Sequence, residues 1–179
     1  MQETVLTGER VYLRPLERDD AALIVGWLRD RELTWSLGDF FPAADVRAVA
    51  DGIERLYRSG HDLLLGVVRR DTDRLIGLTE LHHLDLDNRQ ASFGLLIAQT
   101  GKGYGPEVAG LVLDYAFGPL ALNRVWVQVD ERNTRGIRAY QKAGFRREGL
   151  LRESRYADGR YHNTLLMAVL RREWRARGK

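Results

Sequence analysis

Hydrophobic and polar positions follow two rhythms along this chain, and each change of rhythm marks an element. Arg10 to Leu16 sets Val11 and Leu13 against Tyr12 and Arg14, the period of two expected of a strand, which Pro15 closes. Asp19 or Asp20 can cap a helix running to about Leu28. After an aromatic-rich loop, Pro42 to Arg58 carries Val46, Val49, Ile53, Leu56 and Tyr57 at helical spacing and stops at Ser59-Gly60. Alternation returns over His61 to Arg69, Leu75 to Leu84 and Gln90 to Ala98, joined by short polar connections, which predicts an antiparallel meander. Beyond the glycines at 101–105, Pro106 suits a first helical turn, and Val108, Leu111, Val112 and Tyr115 share one helical face up to Gly118-Pro119. A strand is expected over Arg124 to Asp130 and a helix over Thr134 to Ala143, stopped by Gly144. Phe145 to Tyr156 and Arg160 to Leu170 then form a hairpin about Asp158-Gly159.

The order β, two helices, three β, α, β, α, two β does not alternate as a doubly wound parallel fold would. It predicts an α+β class, with a central, mostly antiparallel mixed sheet and helices on both faces. A length of 179 residues suits a single domain over 1–179. With 44% hydrophobic and 30% charged residues the composition is that of a globular chain and not a disordered one. The longest apolar run, Leu165 to Leu170, falls far short of the ~20 residues of a membrane helix, and Met1-Gln2-Glu3 opens no signal sequence, so a cytoplasmic protein without a membrane partner is expected. The absence of cysteine excludes disulfide scaffolds, thiolate metal sites and acyl transfer through a Cys nucleophile. A net charge of +3 with acids interspersed among the bases admits an anionic ligand without marking a nucleic-acid surface.

Two segments carry chemistry. Gln99-Thr100-Gly101-Lys102-Gly103-Tyr104-Gly105-Pro106-Glu107 lies between a predicted strand and a predicted helix. Its three alternate glycines let backbone N–H groups turn inward, and the helix start adds unpaired N–H groups and a positive dipole end. Each N–H to a charged oxygen contributes about 1.5 to 3 kcal/mol, so three or four, with Lys102 nearby, can hold a diphosphate without a metal. Neither Gly-x-x-x-x-Gly-Lys-Ser/Thr nor Gly-x-Gly-x-x-Gly is present, which sets aside nucleotide hydrolysis and nicotinamide binding. Taken alone, the loop reads equally well as a turn that merely starts a helix. In the second segment, Asn133 opens a helix and Tyr140 sits two turns further on the same face, so an amide and a phenol can point into one groove. Singly they read as an N-cap and a core tyrosine.

Together, in this order and spacing, the two segments resemble the GCN5-related N-acetyltransferase (GNAT) superfamily. The opening Leu6-x-x-Glu-Arg-Val-Tyr-Leu-Arg-Pro-Leu, then Gly-Lys-Gly-Tyr-Gly-x-Glu, Tyr115-Ala116-Phe117, Leu122-Asn123-Arg124-Val125, Asn-x-x-x-Ile-Arg-x-Tyr-x-Lys-x-Gly-Phe and the late Asp-Gly-Arg-Tyr-His-Asn-Thr-Leu-Leu-Met look like the branch that acetylates ribosomal-protein N-termini. The resemblance implies acetyl-CoA as co-substrate. Gly101, Lys102, Gly103, Tyr104 and Gly105 would cradle its pyrophosphate, and Leu95, Leu96 and Ile97 would pair with its pantetheine arm and polarise the thioester carbonyl. Asn133 would touch the arm, and Tyr140 would protonate or stabilise the leaving thiolate. With no cysteine and no metal implied, an amine would attack the thioester directly. Relatives often form dimers, so a homodimer is expected.

The sequence departs from the superfamily at Thr100, where Gln or Arg is usual, and at Gly136, where Ser is frequent. The two strand positions that often hold a catalytic Glu are Ser92 and Gln128, which would instead face the acceptor. Glu80 on a central strand is the candidate base, and Asp130 could act through a water. Alternation sends His82 and His83 to opposite faces of their strand. An α-amine is already about 10 to 20% neutral at pH 7 whereas a lysine amine is less than about 0.1% neutral, so an N-terminal acceptor asks least of a base. A small-molecule amine is the alternative, and a weakly active CoA-binding protein a further one. The acceptor would meet Trp35 and Phe40, with Trp27 and Phe41 beside them and Asp30, Glu32 and Asp39 close by.

Overall fold

The computed structural model describes residues 6–35, 45–59 and 62–177. Its strands are β1 (Leu6–Thr7), β2 (Val11–Arg14), β3 (Leu63–Arg69), β4 (Leu75–Asp85), β5 (Gln90–Ile97), β6 (Arg124–Asp130), β7 (Arg146–Ala157) and β8 (Arg160–Leu170). The helices are α1 (Ala21–Leu28), α2 (Arg31–Thr34), α3 (Val46–Ser59), α4 (Tyr104–Phe117), α5 (Thr134–Ala143) and α6 (Arg171–Arg177), and a 3-10 turn at Arg18–Asp20 leads into α1. The strands form one sheet in the order β1-β2-β3-β4-β5-β6-β8-β7, antiparallel throughout except between β5 and β6. Among the described residues no helix is long and apolar enough to cross a membrane.

Alternation along the strands gives the sheet two apolar faces, and helices cover both. Val11, Leu13, Val67, Leu81, Phe93, Val127 and Met167 pack with Val108, Val112 and Leu113 of α4 and Ile137 of α5. On the opposite face Leu64 and Leu96 meet Ile24 and Trp27 of α1 and Ile53 of α3. Each such buried side chain contributes about 1.5 to 3 kcal/mol, which fixes the strand registers. The Asp158-Gly159 turn has positive φ at both residues, 52° and 77°, as a two-residue hairpin requires.

Three elements lie outside the sequence expectation. β1 is two residues long, and α2 is a single turn whose N–H groups at Glu32 and Leu33 are capped by the Asp30 carboxylate at 2.9 and 3.3 Å. α6 has one apolar anchor, Trp174, whose Nε1 donates to Asp114 of α4 at 2.7 Å. None has a repeating pattern that a period could reveal. Asp20, expected as a possible cap of α1, makes no side-chain cap bond there. Its carboxylate accepts instead from Arg14 at 2.7 and 3.0 Å and from the Glu17 N–H at 2.8 Å.

Candidate active site

The parallel pairing of β5 with β6 runs only from Gln90–Arg124 to Ser92–Trp126. Beyond it β5 continues beside β4 to Ile97 and β6 beside β8 to Asp130, so the two strands part. A groove of about 310 Å³ opens beside this split. Its walls are Leu95, Leu96 and Ile97 of β5, the loop residues Gly101 and Gly103, the start of α4 at Tyr104 and Gly105, and the α5 face from Asn133 to Tyr140.

Gly101 and Gly103 hold φ at 78° and 75°, the left-handed region that favours glycine, and Gly103 is the N-cap of α4. Behind the loop stands Arg10. It donates to the carbonyls of Lys102 at 3.0 Å and Gly103 at 2.8 Å and to Glu107 Oε2 at 2.9 Å, with its guanidinium 4.9 Å from the Tyr104 ring centroid. Glu107 Oε1 accepts from the Arg10 and Val11 N–H groups at 2.7 and 3.2 Å. Although its partial burial opposes ionisation, these bonds hold its carboxyl below the usual range. The Lys102 side chain is exposed and lies outside the groove wall.

Asn133 caps α5 through its Oδ1, which accepts from the Gly136 N–H at 2.8 Å. Two turns on, the Tyr140 ring stands edge-on to Phe93, centroids 6.1 Å apart, and packs against Phe145 at 5.7 Å. Burial pushes its phenol up to about 12. Arg135, Arg138 and Lys142 also line the groove. Sequence reasoning missed these three cations, although their i, i+3, i+7 spacing places them on one helical face with the groove.

The sheet face opposite α4 carries the other candidates. Glu80 pairs with Gly94, and His82 with Ser92, so all four share that face. From His82 to Asp85 β4 spends three steps where β5 spends two between Ser92 and Gln90, and this extra residue coincides with φ 51° at His83. Alternation is broken there, which corrects the expectation that His82 and His83 face opposite ways. Their rings lie 4.7 Å apart, and His83 stacks parallel to Trp126 at 6.3 Å. Glu80 Oε1 is 3.8 Å from His82 Nε2.

Ser92, expected to face the acceptor, is buried, and its hydroxyl bonds the His82 carbonyl at 3.1 Å and His83 Nδ1 at 3.2 Å. Its hydroxyl is thus engaged by the histidine segment. Gln128 is exposed just past the point where the strands part. Asp130 is fully buried and accepts from Arg132 at 2.7 and 2.9 Å and from Arg155 at 3.1 Å. The Arg132 hydrogen bonds hold its carboxyl below the usual range, which makes it a weaker base than a free carboxylate. Trp35 is exposed at the end of α2. Arg132 stands 5.3 Å from its ring centroid and Arg155 donates to its carbonyl. Phe40, Phe41 and Asp39 lie outside the described residues.

Residues 10–146 match the acetyltransferase (GNAT) domain family. The chain belongs to this family. Among similar proteins, the uncharacterized N-acetyltransferase p20 of Bacillus licheniformis is 30% identical over 96% of this chain and 98% of its own. Spermidine N(1)-acetyltransferase of Vibrio cholerae is 32% identical over 93% of this chain and 96% of its own. The crystal structure of spermidine N-acetyltransferase from Vibrio cholerae with CoA and spermine superposes with a TM-score of 0.87 at 26% identity, covering 93% of this chain and 99% of that one. The chain is thus an acetyl-CoA-dependent N-acetyltransferase, with the α+β fold and mixed sheet of its relatives.

Proposed function

We propose that this N-acetyltransferase, working as one domain, acetylates an α-amine, most simply the N-terminus of a protein or peptide. The carrying observation is electrostatic: at the exposed Trp35, Arg132 stands against the ring and Arg155 donates to the carbonyl, while the Asp130 carboxylate that pairs with both is buried. Guanidinium and not carboxylate therefore faces an acceptor there, which suits a peptide better than a polycation. The loop from Gly101 to Gly105 and the start of α4 suit a diphosphate, and Arg135, Arg138 and Lys142 supply further positive charge.

Acetyl-CoA supplies the activated acetyl group when bound. Leu95 to Ile97 offer backbone groups to the pantetheine arm, and Asn133 has its amide nitrogen left to contact it. A β5 N–H aimed at the thioester carbonyl stabilises charge developing on that oxygen, worth about 2.7 to 4 kcal/mol. The amine nitrogen forms the new C–N bond as the C–S bond breaks. Glu80, with His82 beside it, takes the proton the amine loses, directly or through water. Tyr140 keeps its own proton, because burial lifts its phenol to about 12, well above an ordinary thiol, about 8.5 for a cysteine side chain. Its role is to donate a hydrogen bond to the departing sulfur.

A second reading, a polyamine acceptor, rests on the spermidine acetyltransferase relatives. Free-thiol release from acetyl-CoA, measured with N-terminal peptides, amino acids, spermidine and spermine, separates the two. Turnover confined to peptides supports the α-amine reading, and turnover confined to polyamines overturns it.

A further inference from the structure

The geometry points to Arg10, outside the glycine loop and the helix that carries Tyr140, as the positioning residue that aims the cofactor loop's N–H groups into the groove. In a trans peptide the C=O and the N–H of one plane point in opposite directions. Arg10 holds the carbonyls of Lys102 and Gly103, which belong to the planes carrying the Gly103 and Tyr104 N–H groups. Both carbonyls are drawn toward Arg10, which is not part of the groove wall, whereas Gly103 and Tyr104 are. The two N–H groups therefore face the groove. Glu107 fixes the guanidinium from the first turn of α4 while its other oxygen accepts from the Arg10 and Val11 N–H groups, and the Tyr104 ring closes over it.

One side chain just ahead of the second strand thus sets the direction of two successive peptide planes almost a hundred residues away. Without it a glycine-flanked loop is free to rotate those planes, since glycine has little conformational preference of its own. The ordering cost then falls on ligand binding. A lysine in place of Arg10 can reach one carbonyl but cannot hold two carbonyls and a carboxylate in one plane.

This inference rests on the reading of the loop as the pyrophosphate site, and a ligand pair separates the two. CoA carries the pyrophosphate, and acetyl-pantetheine lacks it. We expect Arg10→Ala to weaken CoA binding by calorimetry, and to raise KM for acetyl-CoA, about tenfold, with KM for acetyl-pantetheine and kcat held within about twofold. Arg10→Lys should fall between Arg10→Ala and the unaltered chain, and it carries the test should Arg10→Ala not fold. Equal weakening toward both ligands would make Arg10 merely structural and overturn the inference, as would CoA binding unchanged in Arg10→Ala. Failure of the unaltered protein to bind CoA overturns the loop reading itself, and the inference with it.

Discussion

The Glu80 carboxylate lies over Gly94 on the neighbouring strand, its Oε1 2.6 Å from where a β-carbon on residue 94 would stand. Residue 94 directly precedes the β5 segment that walls the groove. A methyl group at 94 must displace the carboxylate, and a flexible side chain can yield without unfolding the strand. Gly94→Ala should therefore lower kcat/KM about 10- to 100-fold, in step with Glu80→Gln, and also lower the melting temperature, because Glu80 Cγ, 2.7 Å from the new β-carbon, must move too. Activity equal to that of the unaltered enzyme in both variants would remove Glu80 from the reaction.

Tyr140 yields a prediction with a definite sign in pH. Its phenol is raised from 10.0 to about 12, so the favourable contribution of the protonated form is complete below pH 10 and is lost as pH rises toward 12. No loss of turnover below pH 10 should trace to phenol ionisation. Tyr140→Phe keeps the packing against Phe93 and Phe145 and removes the donor. Its kcat should fall about 10- to 1000-fold throughout the range below pH 10, with stability preserved, as pH–rate profiles and melting curves would show.

Asp130 gives the opposite sign. Its depressed titration, due first to the Arg132 hydrogen bonds, stabilises the fold above the ordinary carboxylate value, and that stabilisation is lost as pH falls through its lower folded value. Asp130→Asn leaves two guanidiniums without a countercharge, and denaturant titration at pH 7 should read a loss of about 2 to 4 kcal/mol. At acid pH the gap between variant and unaltered protein should shrink. A constant gap would assign the loss to packing.

Trp174 anchors α6 to α4 through one hydrogen bond to Asp114, and Arg177 of the same helix donates to the Lys142 carbonyl at the end of α5. The short helix therefore ties together the two helices that wall the groove. Trp174→Phe should cost about 1.5 kcal/mol in a denaturant midpoint, the low end for a hydrogen bond to a charged acceptor, because this one is exposed. No change would mean that its ring alone anchors the helix.

Much of the site was legible before the fold was known. The glycines at 101–105, Asn133 and Tyr140 lie on short segments whose local geometry follows from neighbours in sequence, and the structure brings them to one groove. The histidine pair was not legible, because a bulge adds a residue that no period registers. Nor was the fate of Ser92, whose burial depends on the strands packed at its sides and the ring above it. Arg10 stands in an ordinary strand pattern, and its partners lie more than ninety positions on.

The sequence by itself determined the order of the main strands and helices, the α+β class, the glycine loop that opens a helix and the kinship with N-acetyltransferases, since these follow from periodicity, turn chemistry and motifs whose parts lie within a few residues. Only the tertiary structure decided which charges meet. Asp130 came to share its carboxylate with Arg155, and Glu80 became a side chain folded over Gly94, because pairing register and bulges, set by burial of both sheet faces, bring together groups on different strands.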